Sequence, residues 1–144
     1  MDEFPLKWRF NNDRYNILPT KDLDQLIPLN REASKFLENF IAESGLHDHE
    51  PFGNGFFKTI DSIDINITNK EHIQKWLSDL ELPTSKSVFL SWEPDISLVT
   101  KWGLVLQYFN DFFYSSSDDL TIIDESLNWA VLFHHSNVIY FGSN

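Results

Sequence analysis

Residues 115–144 read SSSDDLTIIDESLNWAVLFHHSNVIYFGSN, and this stretch decides the fold. Residues 120–124 are mostly apolar and β-branched, which predicts a short strand. In residues 127–135, large apolar side chains occupy every second position, which is the pattern of a strand whose successive side chains point to opposite faces of a sheet. A two-residue turn at 136–137 then leads into a last strand over 138–142. The pattern predicts an antiparallel β-meander.

The two faces of the middle strand both carry apolar residues. One face presents Trp129, Val131 and Phe133, while Ala130 and Leu132 lie on the other face beside polar residues. Because the second face is half apolar, we expect helices to cover part of it. The stretch therefore predicts a sheet that is packed by helices.

The region before the meander supplies one more strand and a long apolar segment. SVFLSW (87–92) is a short apolar run, which predicts a buried strand. SLVTKWGLVLQYFNDFF (97–113) does not alternate and is long for a strand, so we interpret it as a helix. Trp102, Leu106 and Phe109 share one face of that helix.

Two further helices are predicted in the first half of the chain. Asn30 is a favourable N-cap for a helix over 31–43. Thr68 and Glu71 have the capping-box spacing for a helix over 68–80. The apolar stripe of the first helix, which we expect to face the core, consists of Ala33, Phe36, Leu37, Phe40 and Ile41.

The remaining segments are less regular. Residues 4–10 form either a short edge strand or an extended arm, since Pro5 disfavours a central strand. Residues 45–60 form a ring-rich loop, and 61–68 form a short strand or an extended approach to the next helix. We predict a single α+β domain over 1–144, in which an antiparallel C-terminal meander of about four strands is packed by three main helices.

Composition and charge argue against several classes of function. The chain has no cysteine, which excludes disulfides, a cysteine nucleophile and thiolate metal ligands. Its formal net charge of −11 repels phosphate backbones and anionic lipids, so we expect no nucleic-acid and no membrane partner. The N-terminus lacks the apolar run of a secretory signal, and no stretch approaches the roughly 20 apolar residues of a membrane span. These features predict a cytoplasmic protein.

The acidic residues of the second half sit at strand ends and turns. Lys101 is the last lysine or arginine, so the charged side chains after it are carboxylates, histidines aside. We expect these acids to share one rim of the sheet, where carboxylates can bind the arginines of a protein partner. The predicted partner-binding residues are Asp111, Asp118, Asp119, Asp124 and Glu125, together with Glu93 and Asp95 from the loop WEPD.

The histidines allow a competing interpretation. His47-Asp48-His49-Glu50 can chelate zinc, or it can be a polar turn. His134 and His135 end a strand, and adjacent strand residues point to opposite faces, so we do not expect them to act together. One of them can pair with Asp118 or Asp119 as an acid–base couple.

Known catalytic spacings are missing from the chain. It contains no phosphate-binding glycine loop, no calcium loop, no HExxH and no GxSxG. We therefore predict that the protein is not an enzyme and that it uses no catalytic residue, no metal and no cofactor. A small metal-dependent enzyme that uses Asp118, Asp119 and His134, or the 47–50 loop, remains one alternative. A housekeeping protein-interaction subunit is the other, because the loop 52–57 is rich in rings.

Residues 87–144 resemble a family pattern. The pattern consists of a strand that ends at Trp92, Thr100-Lys101-Trp102-Gly103 before an aromatic helix, Asp118-Asp119, Trp129 and Phe141-Gly142, with fainter echoes at Lys7-Trp8-Arg9-Phe10. It is similar to small bacterial proteins that resemble the immunity proteins of contact-dependent inhibition and polymorphic toxin systems. The resemblance implies a cytosolic protein that binds one cognate toxin domain and covers it. For an acidic chain, we expect that domain to be a basic nuclease.

Overall fold

The structure, a computed structural model, describes residues 3–66, 68–93, 95–114 and 118–144. Predictions that fall on Ile67, Pro94 and 115–117 lie outside these described residues. The helices of the described residues are α1 (Trp8–Asn11), α2 (Thr20–Leu23), α3 (Arg31–Ser44), α4 (Lys70–Ser78) and α5 (Trp102–Phe112). The strands are β1 (Asn16–Ile17), β2 (Ile27–Pro28), β3 (Thr59–Asp64), β4 (Ser87–Glu93), β5 (Ile96–Lys101), β6 (Leu120–Ile123), β7 (Trp129–His134) and β8 (Val138–Ser143). No helix within these ranges has the length and apolarity that crossing a membrane requires.

Seven strands of the described residues form one antiparallel sheet in the order β2-β5-β4-β6-β7-β8-β3. The predicted meander is confirmed, because β6, β7 and β8 are consecutive neighbours. The strand predicted over 87–92 is β4. The α+β class is therefore confirmed. The predicted count of about four strands is incomplete, since β5 and β2 extend the sheet on one side and β3 extends it on the other.

The segment 97–113, which was predicted as one helix, is divided between a strand and a helix. Residues 97–101 belong to β5, which pairs with β4 in an antiparallel hairpin. The neighbours Ser97 and Leu98 point to opposite faces, and both are buried. A strand that is covered on both faces does not alternate in polarity, so its pattern is not distinguishable from that of a buried helix. α5 begins only at Trp102.

Two predictions about local structure near helix starts are also corrected. The N-cap of α4 is Asn69, whose Oδ1 accepts a hydrogen bond from the His72 backbone N–H at 2.9 Å. The Thr68 hydroxyl instead donates to the Asp64 carbonyl oxygen at 2.7 Å. Both side chains are good N-caps, so sequence alone does not choose between these neighbours.

Residues 4–10 form no strand, because the segment leads directly into α1, which begins at Trp8.

Helices cover both faces of the sheet. On one face, α1, α4 and α5 enclose the larger core, to which β7 contributes Trp129 and Val131. On the other face, α3 and the loop 45–58 enclose a smaller core with Ala130 and Leu132. The prediction that the second face of β7 is partly covered is therefore confirmed.

The loop 45–58 packs closely against β8. Phe52 and Phe57 are buried, and their rings meet edge-on with centroids 5.1 Å apart. A Cβ atom at Gly142 of β8 would overlap with the Phe57 ring. Glycine at this position lets the ring lie directly on the strand backbone, which fixes the loop on the sheet.

Candidate functional site

The carboxylates predicted to bind a partner do not share one rim of the sheet. Asp119 directly precedes β6 and Asp124 directly follows it. At about 3.3 Å per strand residue, these two backbones are roughly 16 Å apart. The prediction of a single acidic rim is wrong, because successive connections of a meander alternate between the two ends of the sheet.

Asp118 faces the interior, where it forms an ion pair with Arg9. The two side chains are 9% and 4% exposed. Arg9 Nη1 donates to Asp118 Oδ2 at 2.6 Å, and Nη2 donates to Oδ1 at 3.1 Å, so the pair is bidentate. The Tyr114 backbone N–H donates to the same carboxylate at 2.8 Å, and the Tyr114 ring centroid lies 4.1 Å from the guanidinium carbon. These contacts tie α1 to the segment that leads into β6.

Asp124 is also buried, and it organises the turn between β6 and β7. It accepts hydrogen bonds from the Ser126 backbone N–H and from the Trp129 indole N–H, each at 2.9 Å. Burial acts to raise the pKa of Asp124, but the hydrogen bonds from Ser126 and Trp129 and the charge of Lys86 outweigh it. The pKa therefore lies below its usual value. The charge of Asp124 is thus stabilised by the turn that it shapes.

Two of the predicted carboxylates lie beside α3. Glu125 accepts a hydrogen bond from Lys86 Nζ at 2.7 Å, which lowers the pKa of Glu125. Asp95 Oδ1 lies 3.8 Å from Nε of Arg31, the first residue of α3. Both acids are well exposed, so their pairs with these cations are weak and are open to exchange.

Asp111 and Glu93 lie elsewhere on the surface. Asp111 is near the end of α5, on the face of the sheet opposite to α3, and it accepts a hydrogen bond from Asn16 Nδ2 at 2.8 Å. Glu93 is the exposed last residue of β4. Neither residue is part of a cluster that includes Asp124 and Glu125 at the other end of the sheet.

An apolar groove runs along α3. The helix contacts the sheet through Ser34 and Leu37, which are buried, and the hydroxyls of Ser34 and Ser97 are 2.6 Å apart. Because α3 faces the sheet with these two residues, Phe36 is 75% exposed and Phe40 is 37% exposed. The groove beside these rings has a volume of about 350 Å³. Its lining consists of Leu29, Ala33, Phe36, Leu37, Phe40, Phe89 and Glu125.

The expectation that Phe36 faces the core is therefore wrong. Periodicity assigns the buried face to the most apolar residues, so it does not anticipate a buried serine. The hydrogen bond between Ser34 and Ser97 satisfies both hydroxyls and allows Ser34 to face the sheet. Phe36 therefore faces solvent. It is an exposed aromatic residue that the sequence pattern did not identify as part of the surface.

Carboxylates border the α3 groove. Glu125 lies in its lining. Glu32 and Glu43 are exposed and lie on the same side of α3 as Phe36, four residues before it and seven after it. The surface along α3 thus combines exposed rings at its centre with carboxylates at its edge, an arrangement typical of protein-binding surfaces.

A second cluster lies at the opposite end of β6, where Asp119 meets two histidines. β7 ends at His134 and His135 enters the turn, so the two ring centroids are only 4.1 Å apart. One potential ligand atom from each of these three residues lies within 4.8 Å of the other two. The prediction that the histidines point to opposite faces is wrong, because strand alternation stops at the last residue of β7.

Asp119 is held as a carboxylate by His135. The His135 backbone N–H donates to Asp119 Oδ1 at 2.9 Å, and His135 Nδ1 lies 2.9 Å and 3.1 Å from the two carboxylate oxygens. Burial acts to raise the pKa of Asp119, but these hydrogen bonds and the charges of both histidines outweigh it and lower the pKa. Of the two aspartates considered as a histidine partner, the structure places Asp119 there, while Asp118 faces Arg9.

The predicted metal-binding loop approaches the same cluster. Glu50 Oε1 lies 3.3 Å from His134 Nε2. His47 is engaged elsewhere, since its Nε2 lies 2.9 Å from Thr121 Oγ1 and its Nδ1 lies 3.0 Å from the Pro51 carbonyl oxygen. Burial lowers the pKa of His47, which favours its neutral form. The loop thus contributes a carboxylate to the histidine pair.

Comparisons with protein-family models, with curated proteins and with solved structures found no match for this chain. The resemblance to immunity proteins therefore stays a prediction. Two surfaces of the described residues carry recognisable chemistry: the α3 groove with its carboxylates, and the cluster of Asp119, His134 and His135 with Glu50.

Proposed function

We propose that the protein is an immunity-type inhibitor that binds and occludes a cognate toxin domain with a basic surface, of the nuclease type. The α3 groove is the proposed contact surface. The exposed Phe36 ring beside this groove is the observation that carries the proposal. A side chain of this size stabilises a protein by about 1.5–3 kcal/mol when it is fully buried, and most of that free energy is still to be gained here.

The exposed rings beside the groove are suited to insert into a partner protein. Hot spots of protein interfaces are large side chains that enter a dry pocket near the centre of the contact. Phe36 and Phe40 are turn-to-turn neighbours on α3, so they can enter a partner together. Leu29 and Phe89 line the groove between helix and sheet, where an apolar side chain of the partner fits.

Charge supports a basic partner. The net charge of −11 attracts a cationic domain over long distances and accelerates encounter. Near the groove, Glu32, Glu43 and Glu125 offer acceptor oxygens to arginine and lysine. A nuclease holds phosphate with such cations, so a carboxylate-bearing surface competes with its substrate.

The seven predicted partner-binding carboxylates take different roles in this proposal. Glu125 and Asp95 lie beside α3, where they can exchange Lys86 and Arg31 for cations of the partner. Asp118 and Asp124 act inside the protein as organisers of the fold. Asp111, Asp119 and Glu93 lie outside the groove and affect only the rate of encounter.

The experiment is a pull-down from cells that carry the candidate toxin, with tagged protein, at low and at high salt. We expect one basic partner, identified by mass, that is held more weakly as the salt concentration rises. Phe36→Ser should abolish capture. Ile60→Ser is the matched control, because Ile60 is also exposed, but it lies on β3 at the edge of the sheet.

Two results would contradict the proposal. One is a partner that binds Phe36→Ser as tightly as the wild type, which would remove the α3 groove from the interface. The other is the recovery of an acidic or nucleic-acid partner, which would remove the electrostatic argument. A nuclease assay with the captured partner then measures whether its activity falls when the protein is added in equal amount.

A further inference from the structure

We propose that Asp119, His134, His135 and Glu50 bind a divalent transition-metal ion of the zinc class. Within the described residues, the first three form a group whose ligand atoms all lie within 4.8 Å of one another. Glu50, from the loop 45–58, contacts the group through His134, since its Oε1 lies 3.3 Å from His134 Nε2. This inference is independent of the proposed inhibitor function, because the cluster lies at the end of the sheet away from Glu125 and its groove.

The distances fit a small ion. A tetrahedral zinc ion with bonds of about 2.0–2.1 Å places its ligand atoms about 3.3–3.4 Å apart. His134 Nε2 and Glu50 Oε1 are already 3.3 Å apart. His135 Nδ1 and Asp119 Oδ2 are 3.1 Å apart. Among Asp119, His134 and His135, the ligand atoms are at most 4.8 Å apart, so they must close by up to about 1.5 Å to surround one ion.

Neighbouring groups orient the ligands. The Asp119 carboxylate is fixed by the His135 backbone N–H at 2.9 Å. Ser136 fixes the His134 ring, since its Oγ lies 2.7 Å from Nδ1 and its backbone N–H donates to Nδ1 at 3.1 Å, so the Nε2 edge is directed toward Glu50. Such supporting hydrogen bonds typically raise metal affinity by about 10–100-fold. His134 is only 12% exposed, whereas Asp119, His135 and Glu50 are 54%, 55% and 80% exposed, so an ion would enter from the solvent side of these three residues.

The ligand set selects the class of ion. Two imidazole nitrogens and two carboxylate oxygens suit Zn²⁺, Ni²⁺ or Cu²⁺, whereas Mg²⁺ and Ca²⁺ prefer oxygen ligands alone. The ligands come from the loop 45–58, from the residue before β6, and from the last residue of β7 with the turn residue that follows it. An ion bound here would join these three segments and hold the loop on the sheet.

The test is a calorimetric titration of the full chain with ZnCl₂ after dialysis against a chelator, with MgCl₂ as the comparison ion. We expect saturable binding of one Zn²⁺ per chain and none of Mg²⁺. His135→Gln and Asp119→Asn should each weaken Zn²⁺ binding at least about 10-fold. His49→Gln is the matched control, since His49 belongs to the same loop as Glu50 but is not one of the proposed ligands, and it should bind as the wild type does.

Titration with CoCl₂ gives a second readout, because the visible absorption of Co²⁺ reports its coordination geometry. Far-UV circular dichroism shows which variants are folded. If His135→Gln or Asp119→Asn does not fold, His134→Gln is used in its place. No saturable Zn²⁺ binding by the wild type would overturn the proposal, and so would equal weakening by His135→Gln and His49→Gln. Phe36→Ser should bind Zn²⁺ normally, so failure of the α3 groove and failure of the metal site are distinguishable.

Discussion

The helices on the two faces of the sheet use their aromatic residues differently. α5 buries Trp102, Phe109 and Phe112 in the larger core. α3 contacts the smaller core through Leu37 and presents Phe36 to solvent. Both helices carry an apolar stripe, so the residue types alone do not distinguish them. The rotation of each helix on the sheet decides which ring stabilises the fold and which one is exposed to solvent.

The largest expected effect tests this difference directly. Phe112→Ala should lower the free energy of unfolding by about 3–5 kcal/mol, because it removes a fully buried ring and leaves a cavity. Phe36→Ala should change it by less than about 0.5 kcal/mol, because the ring has few contacts to lose. Urea denaturation of both variants measures the two values. Similar losses would mean that the Phe36 ring is packed as deeply as the Phe112 ring.

Asp118→Asn should have the next largest effect, a loss of about 3 kcal/mol. The substitution leaves the Arg9 guanidinium buried without its counter-charge. Asp79→Asn is the control, since the Lys75–Asp79 pair has nearly the same short distance of 2.8 Å but both side chains are exposed. The control should lose less than about 0.5 kcal/mol. Equal losses in urea denaturation would show that burial does not set the strength of the Arg9 pair.

Gly142→Ala tests how tightly the smaller core is packed against the sheet. The new methyl group would overlap with the Phe57 ring, and we expect a loss of about 2 kcal/mol from overpacking. In the background of Phe57→Leu, the same substitution should cost less, because a smaller side chain can move aside. A double-mutant cycle on unfolding free energies measures this coupling. Additive losses would mean that the ring does not rest on the strand.

The smallest expected effect is a dependence on pH. The pKa of Asp124 is lowered in the folded protein, so its contribution to stability is present at pH values above the unfolded pKa of about 3.9. The contribution is lost as the pH falls through the lower, folded-state pKa. Asp124→Asn should therefore be less stable than the wild type at pH 6, and the gap should narrow toward pH 2. A gap that stays constant across this range in denaturation experiments would argue against the lowered pKa.

The meander could be predicted from the sequence because its strands alternate or end at clear turns. Strict alternation over 127–135 and the turn at 136–137 each specify a local structure. β5 could not be predicted in this way, since both of its faces are covered and its polarity shows no period. Nor could the Arg9–Asp118 pair, which joins residues 109 positions apart. Such pairings depend on how the elements pack and leave no local signal.

The candidate sites were only partly predictable for similar reasons. The sequence identified the acids and the histidines, but not their distribution, because strand direction separates Asp119 from Asp124. It did not predict the proximity of His134 and His135, which depends on the residue where β7 ends. The α3 groove depends on Ser34, a polar residue whose burial requires a partner hydroxyl from β5. Each of these features is set by tertiary contacts.

The order of the strands has a consequence for what another chain can bind. The outermost strands are β2, which is two residues long and ends in Pro28, and β3, which carries Asp61 and Asp64. Short strands, proline and charged side chains at a sheet edge all discourage the addition of a further strand. Backbone pairing with a foreign strand is therefore disfavoured at both edges. Any protein that binds this chain would therefore have to recognise its side chains. Strand pairing between copies of this chain is disfavoured at the sheet edges, even though an apolar groove lies open on α3.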